Sequence, residues 1–428
     1  MRRESSGVHS MLSAAENERL TRVGPGTPTG ELLRRYWMPI ATSAEIGPRP
    51  VKKRLLCEDL IVFRDGNGKV GVVDRQCAHR RADLSVAVCE MNGIRCGYHG
   101  WLYSHDGQCI EQPAEARLNP NARIKAYPAE ELGGLVFAYM GPQPAPLLPR
   151  FDLYVWDNVL RDIGHAMVDC NWLQAMENSV DPHHVQWLHG HLLNFWLRTG
   201  GSTEQTGLFT RKNVKIGFDP FEYGIIKRRV VEGRTEDDDD WKIGHPVVFP
   251  ITLLVGGAGI HQLQIRVPID DTNTWHIWYN VYRVEGAKPK KQDVIPSYEV
   301  PLFDAKGERI VDFIDGQDVA VWAGQGPIAD RSKEMLASSD VGIVMLRRMH
   351  KEQLERIAAG LDPIGTVRDP SINRCIELPI EHNKLGETAM FRNELFKHQA
   401  IRHSPIVAEI NAMFDAAERG DLVTAKSL

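Results

Sequence analysis

Two short motifs in the first quarter of this 428-residue chain combine cysteine with histidine: Cys77-x-His79 and Cys96-x-x-His99. Each motif offers one thiolate and one imidazole, so that together they supply two sulfur and two nitrogen ligands. A [2Fe–2S] cluster can be held by such a set, with the two Cys on one iron and the two His on the other. Because neutral imidazoles replace two thiolates, the reduction potential rises, which suits a centre that accepts and passes single electrons.

A tetrahedral Zn²⁺ site is the alternative, because sets of two Cys and two His also bind zinc. Zinc fingers usually pair Cys with Cys and His with His, whereas each motif here carries one of each. This arrangement favours the cluster. Cys89 and Cys109 lie nearby without a His at matching spacing, and we interpret them as small buried hydrophobic residues.

The residues around the motifs support the cluster and lead to a resemblance. Arg80 follows the first His, and the second motif continues as Cys96-Gly97-Tyr98-His99-Gly100-Trp101. Glycines beside a ligand let the backbone approach the cluster sulfides, where N–H groups tune the potential. This stretch closely resembles the Rieske [2Fe–2S] domain.

Composition limits the classes of function. The chain has 51 basic and 56 acidic residues and a net charge of −5, with no basic stripe of the kind that binds nucleic acid. No run of about 18 apolar residues could span a membrane, and no apolar segment follows the basic N-terminus as in a signal peptide. Seven cysteines in a long chain fit a reducing compartment, so we expect a cytoplasmic protein.

Sequence patterns divide the chain into four regions. A capping box at Ser13–Glu16 predicts a short helix through Leu20, residues 24–30 read as a turn, and a helix is predicted over Glu31–Trp37. We assign residues 1–40 to a helical segment that packs with the catalytic domain, 41–141 to a β domain that holds the cluster, 142–150 to a Pro-rich linker, and 151–428 to the catalytic domain.

Short β segments dominate the cluster region, and a mixture of helices and strands follows it. Asp65-Gly66-Asn67-Gly68 predicts a hairpin between two apolar strands, and residues 135–139 predict another strand. Beyond residue 150 we predict a helix over residues 171–191 and antiparallel strands over 225–231, 246–254, 261–267 and 275–282. A helix is predicted from about Ser339, capped by Ser339 or Asp340, and a last one over 406–417. The acidic run 236–240 reads as a solvated loop tip.

A second set of metal-binding side chains lies in the segment Asp181-Pro182-His183-His184-x₄-His189-Gly190-His191. Asp181 and His184 are three residues apart and share a helix face. His184 and His189 are five apart, about 140° around an ideal helix and about 7.5 Å along it. Both could therefore reach one metal only if the helix widens to an i→i+5 turn there, and such π-type turns favour functional sites. The pattern alone does not choose among the four histidines.

Together, the two motifs resemble the oxygenase component of Rieske non-heme iron oxygenases over essentially the whole chain. The resemblance implies an α+β fold, with an all-β Rieske domain and a catalytic domain of antiparallel sheet covered by helices, of the START-like helix-grip type. It also implies a mononuclear Fe(II) bound by His184, His189 and a carboxylate about 130 residues downstream. Asp318 has the matching spacing, and Asp315 and Asp340 are weaker candidates.

The resemblance further implies roles for Asp181 and for other subunits. Asp181 would accept hydrogen bonds from His184 and from His99 of a neighbouring subunit, and so link iron and cluster in a homotrimer or in stacked trimers. No dinucleotide-binding or flavin motif is found in the chain, so electrons are expected from a separate NAD(P)H-dependent reductase or ferredoxin that docks near His79 and His99.

Within the family, the chain looks most like the phthalate dioxygenase group, which includes O-demethylases of methoxylated aromatic acids. The expected substrates are O₂ and an aromatic carboxylate, for which Arg198, Arg211 and Lys212 are candidate cations. Ring dihydroxylation and O-demethylation are not separated by the sequence. An electron carrier without oxygenase activity and a zinc-stabilised binding module are the alternative functions.

Overall fold

The computed structural model describes residues 12–386 and 388–419. Ten α-helices occur in this part of the chain, together with one π-helix at Val185–Leu192. The α-helices are α1 (Ala14–Thr21), α2 (Pro28–Leu33), α3 (Asp152–Val155), α4 (Trp172–Ser179), α5 (Leu193–Thr199), α6 (Asp239–Lys242), α7 (Ile314–Gly324), α8 (Val341–Ala358), α9 (Thr388–His398) and α10 (Val407–Glu418).

The two N-terminal helices begin at well-defined caps. Ser13 and Glu16 form the predicted capping box at the start of α1. The helix predicted over Glu31–Trp37 is displaced, because α2 begins at Pro28, and the chain is already in a strand at Trp37. Proline is well suited to the first helical position, where its missing N–H would have no partner, and the side chain of Thr27 caps the helix by accepting from Gly30 N.

Three small antiparallel sheets form the region that carries the Cys and His motifs. Their strands are β1 (Trp37–Thr42), β2 (Val51–Leu55), β3 (Glu58–Arg64), β4 (Val70–Asp74), β5 (Val88–Glu90), β6 (Gly93–Arg95), β7 (Leu102–Tyr103), β8 (Cys109–Glu111), β9 (Ala126–Tyr127), β10 (Ala129–Leu132) and β11 (Leu135–Tyr139). The sheet orders are β1-β11-β10, β2-β3-β4-β9 and β5-β6-β7-β8.

Two sequence predictions in this region are confirmed. The Asp65–Gly68 turn joins β3 to β4, with Arg64 opposite Val70, and residues 135–139 form β11. A separate small core, which includes Cys77, Cys96 and Tyr103, packs between the sheets beneath the two motifs. Strand β1 pairs with β11 from Trp37 onward, and the exact domain limits stay a prediction.

An eight-stranded sheet forms the centre of the second half of the chain. Its strands are β12 (Leu160–Val168), β13 (Asn213–Phe221), β14 (Gly224–Val231), β15 (His245–Val248), β16 (Thr252–Gly257), β17 (Ile260–Pro268), β18 (Thr274–Tyr282) and β19 (Ser297–Glu299). The order is β13-β14-β15-β16-β17-β18-β12-β19, and β12 and β19 pair in parallel. The strand predicted over 246–254 is in fact two, because the chain turns between Val248 and Thr252.

Helices cover this sheet and place the second motif. Helix α4 packs against β16 and β17, and α7 contacts both α4 and the π-helix. Asn171 caps α4 by accepting from Leu173 N, but the single helix predicted over 171–191 is interrupted. The residue before a proline avoids the helical conformation, and here α4 ends just before Asp181-Pro182.

Two further details of the second half differ from expectation. Asp340 is the N-cap residue of α8, as predicted, but its side chain accepts from Ala337 N and makes no capping hydrogen bond to α8. The acidic run is not wholly solvated, because Asp240 is buried and pairs with Arg229 at 2.9 Å. Among the helices in the described residues, none has the length and apolar character needed to cross a membrane.

Candidate metal centres

The two Cys and His motifs lie on turns with the same hydrogen-bond pattern. In the first ligand loop, residues 77–82, Arg81 N donates to Cys77 O and Cys77 N donates to Ala82 O. In the second ligand loop, residues 96–101, Gly100 N donates to Cys96 O and Cys96 N donates to Trp101 O. The fifth residue has a positive φ in both loops, 58° at Arg81 and 78° at Gly100. The loops are therefore structural equivalents that present one Cys and one His each.

The loops place sulfur inside and nitrogen outside. Cys77 and Cys96 are buried, and Tyr103 Oη lies 3.1 Å from Cys77 Sγ. His79 and His99 lie towards the surface with ring centroids 4.5 Å apart, and Trp101 stacks on His79 at 4.6 Å. Two inner thiols and two outer imidazoles fit a [2Fe–2S] cluster with one iron on each side. All seven cysteines are free thiols, so neither ligand is consumed by a disulfide.

The π-helix and α7 bring together His184, His189 and Asp318. Nε2 of His189 lies 3.3 Å from Asp318 Oδ1, and Nε2 of His184 lies 3.9 Å from the same oxygen. The three side chains offer ligand atoms that all lie within 4.8 Å of one another. The i→i+5 widening that the spacing required is present, since the π-helix spans Val185–Leu192. Two imidazoles and one carboxylate fit a non-heme iron with open coordination positions.

Neighbouring amides hold two of these groups. Gln317 Oε1 lies 3.1 Å from His189 Nδ1, and Gln317 Nε2 donates to Val311 O. Such a bond leaves Nε2 of His189 free to face a metal. Asn178 Nδ2 donates to Asp318 Oδ1 at 3.4 Å. Burial raises the pKa of Asp318, but the nearby His189 and His184 outweigh it and hold the pKa below its usual range.

The other carboxylates and histidines considered from sequence have different surroundings. Asp315 uses both oxygens, accepting from Trp278 Nε1 and from Ala400 N, each at 2.6 Å. Asp340 accepts from Ala337 N near the start of α8. His191 is exposed and packs on Trp187. None of these groups, nor His183, belongs to the triad in the described residues.

Asp181 lies between the triad and an open groove. Its Oδ2 lies 3.6 Å from His184 Nδ1, a buried atom that has no hydrogen-bond partner in the described chain, and its Oδ1 accepts from His183 N at 2.7 Å. Burial raises the pKa of this carboxyl, but the contact with His184 and the His183 N–H outweigh it and lower the pKa to about 2. The side chain is therefore an anion that can orient the imidazole of His184.

A cavity opens beside the triad, with about 600 Å³ of empty space including its mouth. Apolar walls come from Val185, Phe209, Leu253, Val255 and Ile314, and His184, His189 and Asp318 also line it. The cations that line it are Lys227, Arg229 and Lys384, with His245 beside them.

The three cations singled out from sequence do not line this cavity. Arg198 is exposed at the end of α5, and its Nε donates to Asn194 O. Arg211 donates to Leu385 O at 3.4 Å, and Lys212 is exposed. Sequence reasoning missed Lys227 and Arg229. In a strand over 225–231 they share one face with Ile225. The opposite face carries Ile226 and Val230, which are also buried, so strand alternation did not single out these two cations.

Family models match both halves of the chain. The model described as the Rieske [2Fe-2S] domain matches residues 36–128, and the model described as LigXa C-terminal domain like matches residues 308–377. The first match contains both ligand loops, and the second contains Asp318.

Two curated relatives align along most of their length. The 5,5'-dehydrodivanillate O-demethylase oxygenase subunit of Sphingobium sp. (strain NBRC 103272 / SYK-6) is 42% identical over 395 residues, which covers 90% of each chain. The phthalate 4,5-dioxygenase oxygenase subunit of Pseudomonas putida is 32% identical, covering 83% of this chain and 89% of its own.

Solved structures share the fold. Pseudomonas putida CBB5 NdmA with caffeine superposes with a TM-score of 0.60 at 20% identity, covering 79% of this chain and 98% of its own. The α+β architecture expected from the sequence is thereby confirmed. From its family models, its relatives and its two ligand sets, the chain belongs to the Rieske non-heme iron oxygenases, as an oxygenase component with a [2Fe–2S] cluster and a non-heme iron.

Proposed function

We propose that this oxygenase acts on an aromatic carboxylic acid, by ring hydroxylation or O-demethylation, with electrons from a separate reductase or ferredoxin. The observation that carries the proposal is the His184–His189–Asp318 triad at the wall of a cavity that has apolar walls and a group of buried cations. The amide side chains of Asn178, Gln264 and Gln399 line the cavity as well. Apolar walls suit an aromatic ring, and a cation suits a carboxylate. Curated relatives with this chain length are named as oxygenase subunits, which implies a further component that supplies electrons.

Each metal group has a defined set of residues. Cys77, Cys96, His79 and His99 would hold the cluster, and His184, His189 and Asp318 would hold the iron. When bound, the cluster supplies single electrons and the iron supplies the O₂ chemistry.

The protein contributes orientation and exclusion of water around the iron ligands. Gln317 and Asn178 fix His189 and Asp318 through the amide contacts described above. Asp181 faces the remaining nitrogen of His184. The apolar wall formed by Val185, Phe209 and Leu253 keeps water from the face on which the aromatic ring would lie.

We also propose a head-to-tail homotrimer in which the ligand loops of one subunit seat in the Asp181 groove of the next. The groove is lined by Asp181, Trp187, Phe195 and Val321, and Trp187 remains 67% exposed in the single chain. Large exposed apolar surfaces of this kind mark interfaces.

The ligand loops offer a complementary surface. Val86 and Tyr98 beside them are 74% and 59% exposed, and Arg80 and Arg81 are exposed cations. Their positive charge complements Asp181, whereas Glu334 in the same groove is already paired with Arg347. In such a trimer, His99 of the partner subunit would donate to Asp181, which would then link the two ligand sets.

Metal and sulfide analysis of the anaerobically purified protein tests the proposal, together with a screen of aromatic acids supplied with a surrogate reductase. We expect about three irons and two acid-labile sulfides per chain, and oxygen-dependent consumption of at least one acid. The relatives already argue against an electron carrier without oxygenase activity and against a zinc-stabilised binding module. No turnover of any aromatic acid by the fully loaded protein would contradict the proposed substrate class.

A further inference from the structure

A cluster of buried charges forms the side of the cavity that β14 and β15 provide. Lys227 and Arg229 project from the same face of β14, and His245 on β15 is the cross-strand neighbour of Lys227. Lys384, the first residue of a short 3₁₀ helix at Lys384–Gly386, also belongs to the cluster. Asp240 and Glu381 are its carboxylates. All six side chains are buried.

Four of these charges compensate one another. Arg229 Nε donates to Asp240 Oδ1 at 2.9 Å, and Lys384 Nζ donates to Glu381 Oε2 at 2.7 Å. His245 Nε2 lies 2.6 Å from both Glu381 Oε2 and Lys384 Nζ. Two carboxylates and two cations sum to zero, so this network needs no further ion.

A metal ion is not the missing partner of this cluster. Asp240, His245 and Glu381 have the spacing of a metal-binding set. However, Arg229 already pairs with Asp240 and Lys384 with Glu381. Of the four carboxylate oxygens, Glu381 Oε1 alone lacks a hydrogen-bond partner in the described residues. A divalent ion there would lie beside two buried cations, and their repulsion would be costly.

Lys227 is the cation of this cluster that pairs with neither Asp240 nor Glu381. Its side chain is 4% exposed and has no hydrogen bond or ion pair within the described parts of the chain. Burial lowers the pKa of Lys227 most, and the nearby charges of Arg229 and Lys384 lower it further, to about 7. Asp181 raises this pKa and Arg266 lowers it, both by smaller amounts. A buried and unpaired cation costs stability, and it is expected where function requires it.

We propose that Lys227 determines the specificity of the cavity by binding the carboxylate of the aromatic acid, and that the Arg229–Asp240 and Lys384–Glu381 pairs position it. The inference rests on the proposed function, since the acid is the oxygenase substrate. A carboxylate in front of Lys227 would receive a charge-assisted hydrogen bond in a site largely closed to water. Binding there would tether one end of the substrate while the ring lies between the apolar walls and the triad.

Calorimetric titration of the holoprotein with a matched pair of probes, 4-methoxybenzoate and its neutral analogue 4-methoxybenzamide, tests the assignment. We expect the wild-type protein to prefer the acid, and Lys227→Met to lower the affinity for the acid at least tenfold while affinity for the amide stays within twofold. Lys227→Arg should retain most of the preference. Lys212→Met, which removes an exposed lysine that does not line the cavity, is the control and should change neither affinity.

Folding and metal loading are measured on every variant, so that a structural defect is recognised. Lys227→Met removes a buried charge that costs stability, and we expect it to fold with full iron and sulfide content. Equal loss of both probes in a fully loaded Lys227→Met variant, unchanged affinity for the acid, or no binding of the acid by wild type would overturn the inference.

The outcome separates the inference from the proposed function. Turnover of aromatic substrates with no role for Lys227 would leave the oxygenase proposal intact and remove only the subsite. Lysine-dependent binding of the acid without turnover of any aromatic acid would retain the subsite and remove the proposed substrate class.

Discussion

Glu177 on α4 is the carboxylate whose removal should weaken the scaffold of the iron site most. Both of its oxygens are bound by arginines from other parts of the chain. Arg331 Nε and Nη2 donate to it at 2.9 and 2.7 Å, and Arg347 Nε donates at 2.7 Å. All three side chains are buried. The clamp therefore ties α4, which leads directly into Asp181, to α8 and to the segment after α7.

Glu177→Gln would leave the two arginines without this anion. Removal of one partner from a buried ion pair costs about 3–5 kcal/mol, because the remaining charge is uncompensated. Arg347 retains Glu334, so we expect about 3 kcal/mol. Burial raises the pKa of Glu177, but Arg331 and Arg347 outweigh it and lower the pKa below 4.5. The stabilisation is therefore fully present above pH 4.5 and is lost as the pH falls further.

Urea unfolding followed by circular dichroism measures the free energy of unfolding at neutral pH and at intervals down to the lowest pH at which the protein remains folded. Asp362→Asn is the matched control, because Asp362 also binds an arginine, Arg368, through two oxygens but lies at the surface. We expect the control to change stability by less than about 1 kcal/mol. A Glu177→Gln variant as stable as the control, or a difference that grows as the pH falls below 4.5, would refute the reasoning.

Three further outcomes are expected from single substitutions. Asp181→Asn should keep both cluster and iron, since the His183 N–H retains an acceptor. It should nevertheless lower coupled turnover at least 100-fold. Normal turnover would show that Asp181 does not link the cluster to the iron. Asp318→Ala should lose the non-heme iron and keep the cluster, measured as an iron-to-sulfide ratio that falls from about 3:2 to about 1:1. Burial raises the pKa of Asp152 to about 6 from 3.8, so the folded state binds more protons between these values and stability falls as the pH rises through them. Asp152→Asn should therefore raise the free energy of unfolding by about 1–3 kcal/mol at pH 8. This gain should shrink as the pH is lowered toward 4. An equal gain at pH 8 and pH 4 would show that the buried charge of Asp152 is not its cause.

Sequence could predict that the candidate ligands lie together, because residue type and close spacing carry that information; that they bind the metals stays a prediction. The Cys77–His79 and Cys96–His99 pairs lie on local turns, and the five-residue separation of His184 and His189 itself required the π-helix that is found. Asp318 came from a family resemblance rather than from local spacing. The acceptor that Gln317 provides for His189 was invisible in sequence, because it depends on how α7 packs against the π-helix.

The cavity cations were not predicted, because tertiary partners decide which charges are buried. Arg198, Arg211 and Lys212 were the predicted carboxylate-binding cations because they follow the histidines closely in sequence. Lys227 instead lies at the cavity because β14 pairs with β15. Asp240 in the acidic run looked solvated because its partner Arg229 is eleven residues away on another element. Strand alternation gave no help, because both faces of β14 carry buried apolar residues.

A single-turnover experiment tests the central claim most directly. The anaerobically reduced protein, with no reductase present, is mixed with ¹⁸O₂ and an aromatic acid that it turns over. Cluster oxidation is followed by electron paramagnetic resonance. The label is sought by mass spectrometry in the product that receives it, which is the hydroxylated ring for ring hydroxylation and the released formaldehyde, trapped as it forms, for O-demethylation. We predict that the cluster is oxidised as ¹⁸O enters the product, and that Asp318→Ala does neither at a comparable rate. Label in the product while the cluster stays reduced, or a cluster oxidised equally fast in Asp318→Ala, would contradict the account.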